Sequence, residues 1–353
     1  MTIAKRFSLI PAAVGLILSA LTTACASDEP APSEQMYQAG FYLSVGEVDG
    51  SSRTPSGDYN AGDGIENYID LENRNIRVLL YDMDNSFLGE ITDFSITPLE
   101  GYDNSKRYYI NGSTSADIST GRFKVMILAN WPSYPESTDM ESVFSHKFRF
   151  DGSAPSRENP IPLYGIKSVS MSPIKPGVAT NLGTIHLLRS LAKIEVILDD
   201  PTGFWHLSDV ELTRYNNSGY CAPAVRDQSE YVKDSWNRDY VGRPFIPEDC
   251  EQKSDLPFIR TDSHSYVIYV PEYWNNRSGV EPARICVDFE ESLLGKRYID
   301  LHDTSITGAP TTDIMRNIWY KITIKKKDEE SEPVFTVDVI PYTICDLEPV
   351  FGV

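Results

Sequence analysis

Along most of this chain apolar and polar residues alternate with the two-residue period of a β-strand, in short runs separated by Gly, Pro, Asn and Asp. Phe41, Leu43 and Val45 alternate with Tyr42, Ser44 and Gly46, which predicts a first strand over 41–48, followed by a long polar loop over 49–64. Residues 76–81 are almost continuously apolar, the pattern expected inside a sandwich. Further strands are predicted over 87–91, 106–110, 122–130, 144–150 and 166–171. A second series starts near Ile185, where Leu187, Leu191, Ile194, Val196 and Leu198 sit in one run ending at Asp199. Its opening could be a helical turn, but its β-branched tail favours strand. The series continues over 210–215, 265–270, 284–290, 320–325, 334–340 and 347–351. Between the two series, Pro173, Pro176, Gly177 and Gly183 read as a domain boundary. Residues 216–263 are polar and rich in Pro and Trp, and read as a surface excursion. No exact sequence repeat is visible. The pattern describes an all-β chain with two domains, 41–178 and 179–353.

The first 24 residues follow another pattern. Lys5 and Arg6 precede an apolar stretch from Phe7 to Leu21, and small residues then lead to Cys25. The stretch is too short for a hydrocarbon core and reads as a signal peptide. Leu21-Thr22-Thr23-Ala24-Cys25 resembles the lipobox of bacterial lipoproteins, with Thr22 where leucine is usual. On that reading Cys25 becomes the acylated first residue of the mature chain, held on the outer membrane by its acyl chains. Residues 25–40, with Pro30 and Pro32, form a tether. Asp28 and Glu29 resemble the acidic export tag of surface lipoproteins in the Bacteroides group.

The chain has 353 residues, of which 41% are hydrophobic and 24% charged, enough for two packed domains. Its 51 acidic against 32 basic residues give a formal charge of -19, which argues against a nucleic-acid partner. His146, His186, His206, His264 and His302 are dispersed, and none stands at metal-ligand spacing from a second His or Cys. Asp58, Asp63, Asp82, Asp84 and Asn85 do not follow the spacing of a calcium loop. Phosphate-loop, nucleophile-elbow and zincin motifs are missing. Glu290 and Glu291 are adjacent, so on a strand they face opposite sides and make a poor glycosidase pair. No enzyme activity, cofactor or metal is therefore expected. Trp205, Trp236 and Trp274, with Tyr231, Tyr240 and Tyr273, could form a sugar-binding surface or fill the core. Cys221 and Cys250 flank the excursion and form the candidate disulfide, while Cys286 reads as a buried thiol.

Several segments, in order, resemble the fimbrillin superfamily of Bacteroidales, the FimA-like and Mfa-like pilus subunits. They are the lipobox at Cys25, Asn75-Ile76-Arg77-Val78-Leu79-Leu80-Tyr81-Asp82, and Ile161-Pro162-Leu163-Tyr164-Gly165. Leu188-Arg189-Ser190-Leu191-Ala192-Lys193-Ile194-Glu195-Val196 follows, then Arg316-Asn317-Ile318-Trp319-Tyr320-Lys321-Ile322 and Leu347-Glu348-Pro349-Val350-Phe351-Gly352. The resemblance implies two transthyretin-like Greek-key β-sandwich domains in tandem, lipoprotein export and assembly into an adhesive surface pilus. In polymerising members a trypsin-like protease cuts after an arginine in the loop behind the first strand. That strand leaves, and a strand from the neighbouring subunit, commonly its C-terminal segment, fills the groove. Carried onto this sequence, the removable strand is 41–48 and the processing site is Arg53-Thr54, the only arginine bond between Gln35 and Arg74. The donor candidates lie within 334–351. The implied partners are neighbouring pilin subunits, the outer membrane through the precursor's lipid, the processing protease, and a host or bacterial surface ligand. Tip and anchor subunits share this architecture, and Pro333, Pro341, Pro349 and Cys345 complicate donation by the tail. A surface glycan-binding lipoprotein is the alternative.

Overall fold

A computed structural model describes residues 35–45, 65–72, 75–99, 107–199, 205–224, 243–290, 295–304, 307–308, 311–325 and 333–341. The first group of strands is β1 (Tyr37–Val45), β2 (Ile76–Tyr81), β3 (Phe87–Glu90), β4 (Ser95–Pro98), β5 (Arg107–Thr114), β6 (Arg122–Ala129), β7 (Lys147–Arg149), β8 (Leu163–Ser170) and β9 (Ala179–Arg189). The second is β10 (Ala192–Asp199), β11 (Leu207–Asn216), β12 (Ser218–Tyr220), β13 (Gln252–Pro257), β14 (Ile259–Arg260), β15 (Ser265–Val270), β16 (Arg284–Phe289), β17 (Lys296–Asp300), β18 (Ile318–Lys325) and β19 (Val334–Pro341).

One sheet runs β3-β2-β6-β8-β9-β1-β5-β4, but β8 and β9 share only two residue pairs, Leu163 with Arg189 and Tyr164 with Leu188. The sheet thus divides into two leaves of four strands over a single core. Val78, Leu80, Val125 and Ile127 enter that core from one leaf, and Phe41, Leu43, Ile110, Ile185 and Leu187 from the other.

The later strands repeat this plan. The order β13-β11-β16-β17 copies β3-β2-β6-β8, and β14-β15-β10-β18 copies β4-β5-β1-β9. Each copy contains one parallel pair, β1 with β9 and β10 with β18. β19 is additional, laid antiparallel on β18 at the end of its sheet, and β7 and β12 pair with each other outside the plan. A structural repeat is therefore present where the sequence shows none, because strand pairing depends on alternation rather than on residue identity.

The repeats are less separate than the sequence suggests. Leu79, Tyr81, Met126, Leu128 and Ile166 point to the other side of their leaf and join the same continuous core as Ile194, Val196, Leu212 and Ile322. Burial on both faces explains why 76–81 reads as an unbroken apolar run. The Pro and Gly residues of 173–184 do not separate the repeats. Pro173, Pro176 and Gly177 form the β8–β9 turn, with Gly177 at φ 73°, and the strand that begins at 179, which contains Gly183, lies in the first sheet beside β1. Pro and Gly mark chain reversals inside a sheet as readily as linkers. The passage between repeats is Ser190–Leu191, both buried and without a turn signal.

Local chemistry sets several boundaries. Asp82 Oδ1 accepts the amides of Asp84 (2.9 Å) and Ser86 (2.8 Å), and Asn85 takes φ 71°, so the acidic cluster there caps the β2–β3 turn. The strand expected over 144–150 starts as a helix instead, α1 (Met140–Phe144), whose N-cap Asp139 accepts Ser142 N at 2.8 Å. Residues 216–263, expected as an excursion, supply β12, β13 and β14.

Truncating the inward face of β1 should cost more than truncating its outward face. Leu43→Ala is expected to lower the unfolding free energy by about 2–5 kcal/mol, whereas exposed Gln38→Ala stays within about 0.5 kcal/mol. Denaturant unfolding of the two variants checks this.

Candidate functional site

The nine residues of β1 lie between two neighbours rather than at a sheet edge. β5 pairs antiparallel on one side, with Phe41 opposite Ile110 and Leu43 opposite Tyr108. β9 pairs parallel on the other, with Leu43 opposite Ile185 and Val45 opposite Leu187. Tyr37, Ala39, Phe41, Leu43 and Val45 are buried in the first core. Their alternation with Gln38 and Tyr42 is the strand signal of the sequence, displaced toward the N-terminus because Ala39 and Gly40 are weak strand formers.

One contact on the outward face is unusually close. Tyr109 of β5 lies across Gly40, so that a Cβ there would collide with the Tyr109 hydroxyl and stand 3.1 Å from its Cζ. The same ring packs against Tyr42, with centroids 5.1 Å apart. On the β9 side the register slips between Gly40 and Tyr42, and Gly183 takes φ 79° at the slip.

Beyond Val45 the chain returns in a 3-10 turn, Ile65–Asn67. Arg53 and Thr54, the processing candidates, fall between the two and lie outside the described residues, as do the lipidation candidate Cys25 and the tail 347–351.

The returning turn is held by buried charge. Glu66 Oε1 lies 3.0 Å from Lys193 Nζ and accepts the Tyr269 hydroxyl at 2.7 Å. Arg189 Nε donates to Glu66 O at 2.9 Å, and the same guanidinium bonds the side chains of Asn67 and Asn317. Lys193 also lies 4.4 Å from the centre of the Trp319 ring. Burial pushes the Lys193 ammonium below its usual range, opposed by the charge of Glu66. Thus residues just behind the loop are fastened to β10 and β15 of the second repeat. The sequence carried one trace of this, charged Lys193 and Glu195 inside an otherwise apolar run.

The donor candidate 334–340 is β19. It pairs with β18 along its whole length, from Val334 opposite Lys325 to Pro341 opposite Ile318, and Val337 is fully buried. Cys221 and Cys250 are free thiols, so the bridge expected between them is not formed in this structure. Cys221 is buried, and Cys250 Sγ lies 3.5 Å from Ser218 O. Spacing across a loop said nothing of where the two side chains point. Cys286 is a buried thiol, as expected. Trp205 and Tyr273 are core residues, Trp205 edge-on to Phe289, and Trp274 is half-buried with Nε1 bonded to Pro244 O at 3.1 Å. Trp236, Tyr231 and Tyr240 lie outside the described residues. Among the described residues no three His, Cys, Asp or Glu side chains gather as a metal site.

No family model and no curated protein matches the chain. Solved structures do. The C-terminally truncated tip fimbrial protein Mfa3 of Porphyromonas gingivalis is 14% identical, with 86% of this chain and 99% of that one covered at a TM-score of 0.55. A candidate cell-adhesion protein of Parabacteroides distasonis is 16% identical, with coverages of 90% and 98% and a TM-score of 0.51. At these identities the likeness is one of fold, and it spans nearly the full length of both proteins.

The buried network should behave as a unit. Lys193→Met is expected to lower stability by about 3 kcal/mol by leaving Glu66 without its cation. Combining it with Glu66→Gln should cost less than the sum of the two single changes, by about 1 kcal/mol or more. A double-mutant cycle in denaturant measures this, and strict additivity would contradict the coupling.

Proposed function

We propose that this chain is a subunit of a surface fimbrium of the fimbrillin kind, made as a lipoprotein acylated at Cys25 and activated by cleavage at Arg53-Thr54. Cleavage separates β1 from the body, and a strand from a neighbouring subunit takes its place. The observation that carries this reading is the position of β1. It is the first strand in the described chain, it is interior to its sheet, and its apolar face fills the first core. Loss of an interior strand leaves unpaired backbone groups on β5 and β9 above an apolar trench, both unfavourable in water. An incoming strand repairs both at once. Because the donor and acceptor surfaces differ, the contact is head-to-tail and generates a filament. The Glu66 network supports the same reading, since it anchors the chain directly behind the loop. The role is structural and adhesive, with neighbouring subunits as the principal partners.

A second reading, a tip or anchor subunit that does not donate, draws on β19 being fully paired within its own sheet.

The N-terminus of material recovered from the cell surface, read by intact mass and terminal sequencing, separates the polymerising subunit from an anchor. A start at Thr54 without lipid is expected. A lipidated start at Cys25 in all surface-held material would exclude the polymerising subunit and leave the anchor.

A further inference from the structure

Strand exchange makes no use of a cleft of about 490 Å³ at the joint between the repeats. Phe148, Phe150, Ile161 and Leu191 are the buried apolar part of its lining. Tyr68, Asp70 and Glu72, on the chain returning behind the loop, form one wall, and the segment 153–162 forms the other. Arg149, Arg157, Glu158 and Asn159 stand exposed around it. We propose that this cleft is a binding site for a neutral glycan. The inference goes beyond the strand-exchange reading and does not depend on it.

The walls are built before any ligand arrives. Asn130, buried and at φ 59°, ties them together. Its Oδ1 accepts Asp70 N at 2.9 Å, and its Nδ2 donates to Tyr68 O at 2.6 Å and to Ile161 O at 3.1 Å. A second tie is the Arg157 guanidinium, 5.5 Å from the centre of the Tyr68 ring. The segment around Arg157 closes on itself. Asp151 Oδ1 accepts Ser153 N at 2.9 Å, Ser156 N donates to Asn159 O at 3.1 Å, and Asn159 Nδ2 donates to Ser153 Oγ at 3.2 Å. Pro155, Pro160 and Pro162 fix further dihedrals. A polar site held this firmly loses little entropy when it binds.

The lining selects the class of ligand. A sugar hydroxyl both donates and accepts, so it needs donors and acceptors side by side. Asp70, Glu72 and Glu158 accept, Arg149 and Arg157 donate, and the Asn159 amide does both. The C–H face of a pyranose is apolar and packs on a half-buried ring such as Tyr68. Three carboxylates outnumber two guanidiniums here, and the chain as a whole carries -19, which disfavours phosphate, sulfate or sialic acid. A peptide is disfavoured because the apolar lining is buried, not laid open as a groove for side-chain anchors. The surface also extends. A second cleft of about 710 Å³ shares Phe148, Arg149 and Phe150 with the first and adds half-buried Tyr215 and Asn217. A glycan chain that runs past the first cleft meets the same kinds of group in the second.

The test presents the labelled full chain, purified in detergent, to an array of neutral, sialylated and sulfated oligosaccharides and of peptides. Retention by neutral oligosaccharides is expected. Titration with the best-retained one should show binding weakened about tenfold or more by Arg157→Ala and by the near-isosteric Glu158→Gln. Lys175→Ala, on the exposed β8–β9 turn, should leave it unchanged. Thermal midpoints equal to that of the parent chain confirm that both cleft variants keep the fold. Capture by sialylated or sulfated oligosaccharides alone, or by peptides alone, overturns the neutral-glycan assignment. An array that retains nothing, or a ligand bound undiminished by both cleft variants, overturns the site. None of these outcomes turns on the N-terminus of surface material, so strand exchange and glycan binding fail separately.

Discussion

Everything in the first sandwich depends on a strand being present between β5 and β9. Backbone N–H and C=O groups buried in a sheet have no alternative partner once water is excluded, so the gap left by an interior strand is filled by another strand or the leaf opens. β10 sets the comparison. It holds the same place in the second repeat, between antiparallel β15 and parallel β18. It is joined to β9 through two buried residues and continues toward β11 within the same fold, so its position is fixed covalently. β1 is joined to the rest of the described chain only through the segment 46–64. One topology thus occurs twice, once with a central strand built in and once with a central strand linked to the rest of the described chain by one segment.

The buried polar groups fit this division of labour. Charged side chains out of water stabilise a fold only when their partners are fixed, and their worth lies more in specifying an arrangement than in net energy. The network around Glu66 fixes the turn behind the loop to β10 and β15. A second buried pair, Arg316 with Glu272 at 2.7 Å, fixes the approach to β18, and Glu272 also accepts the Phe245 amide at 3.3 Å. Among the described residues, none of the contacts given for either network is to β1. In the proposed process, loss of β1 therefore removes apolar contacts and ladder bonds but leaves in place the Glu66–Lys193 pair between the repeats and the Arg316–Glu272 pair within the second.

Much of the fold was legible in the alternation. Strands over 76–81 and 265–270 stand where the pattern put them, because β-branched and aromatic residues there are bounded by clear turn chemistry. Short or polar edge strands such as β4, β13 and β17 were not legible, since exposed edges carry no apolar period. The repeat and its boundary at Ser190–Leu191 were hidden because the joint is buried and the Pro and Gly signals belong to the β8–β9 turn. Of the candidate site, the interior strand β1 could be read from Phe41, Leu43 and Val45. The close approach of Tyr109 to Gly40 could not, because it depends on which residues stand opposite each other across strands, and register is set only by the folded sheet.

Hydrogen exchange followed by mass spectrometry on assembled surface material tests the central claim most directly. The account predicts that peptides covering 37–45 are missing, while the amides of β5 and β9 remain protected because another strand covers them. Peptides covering 37–45 present and protected in the assembled material would show that β1 never leaves, and would contradict the account.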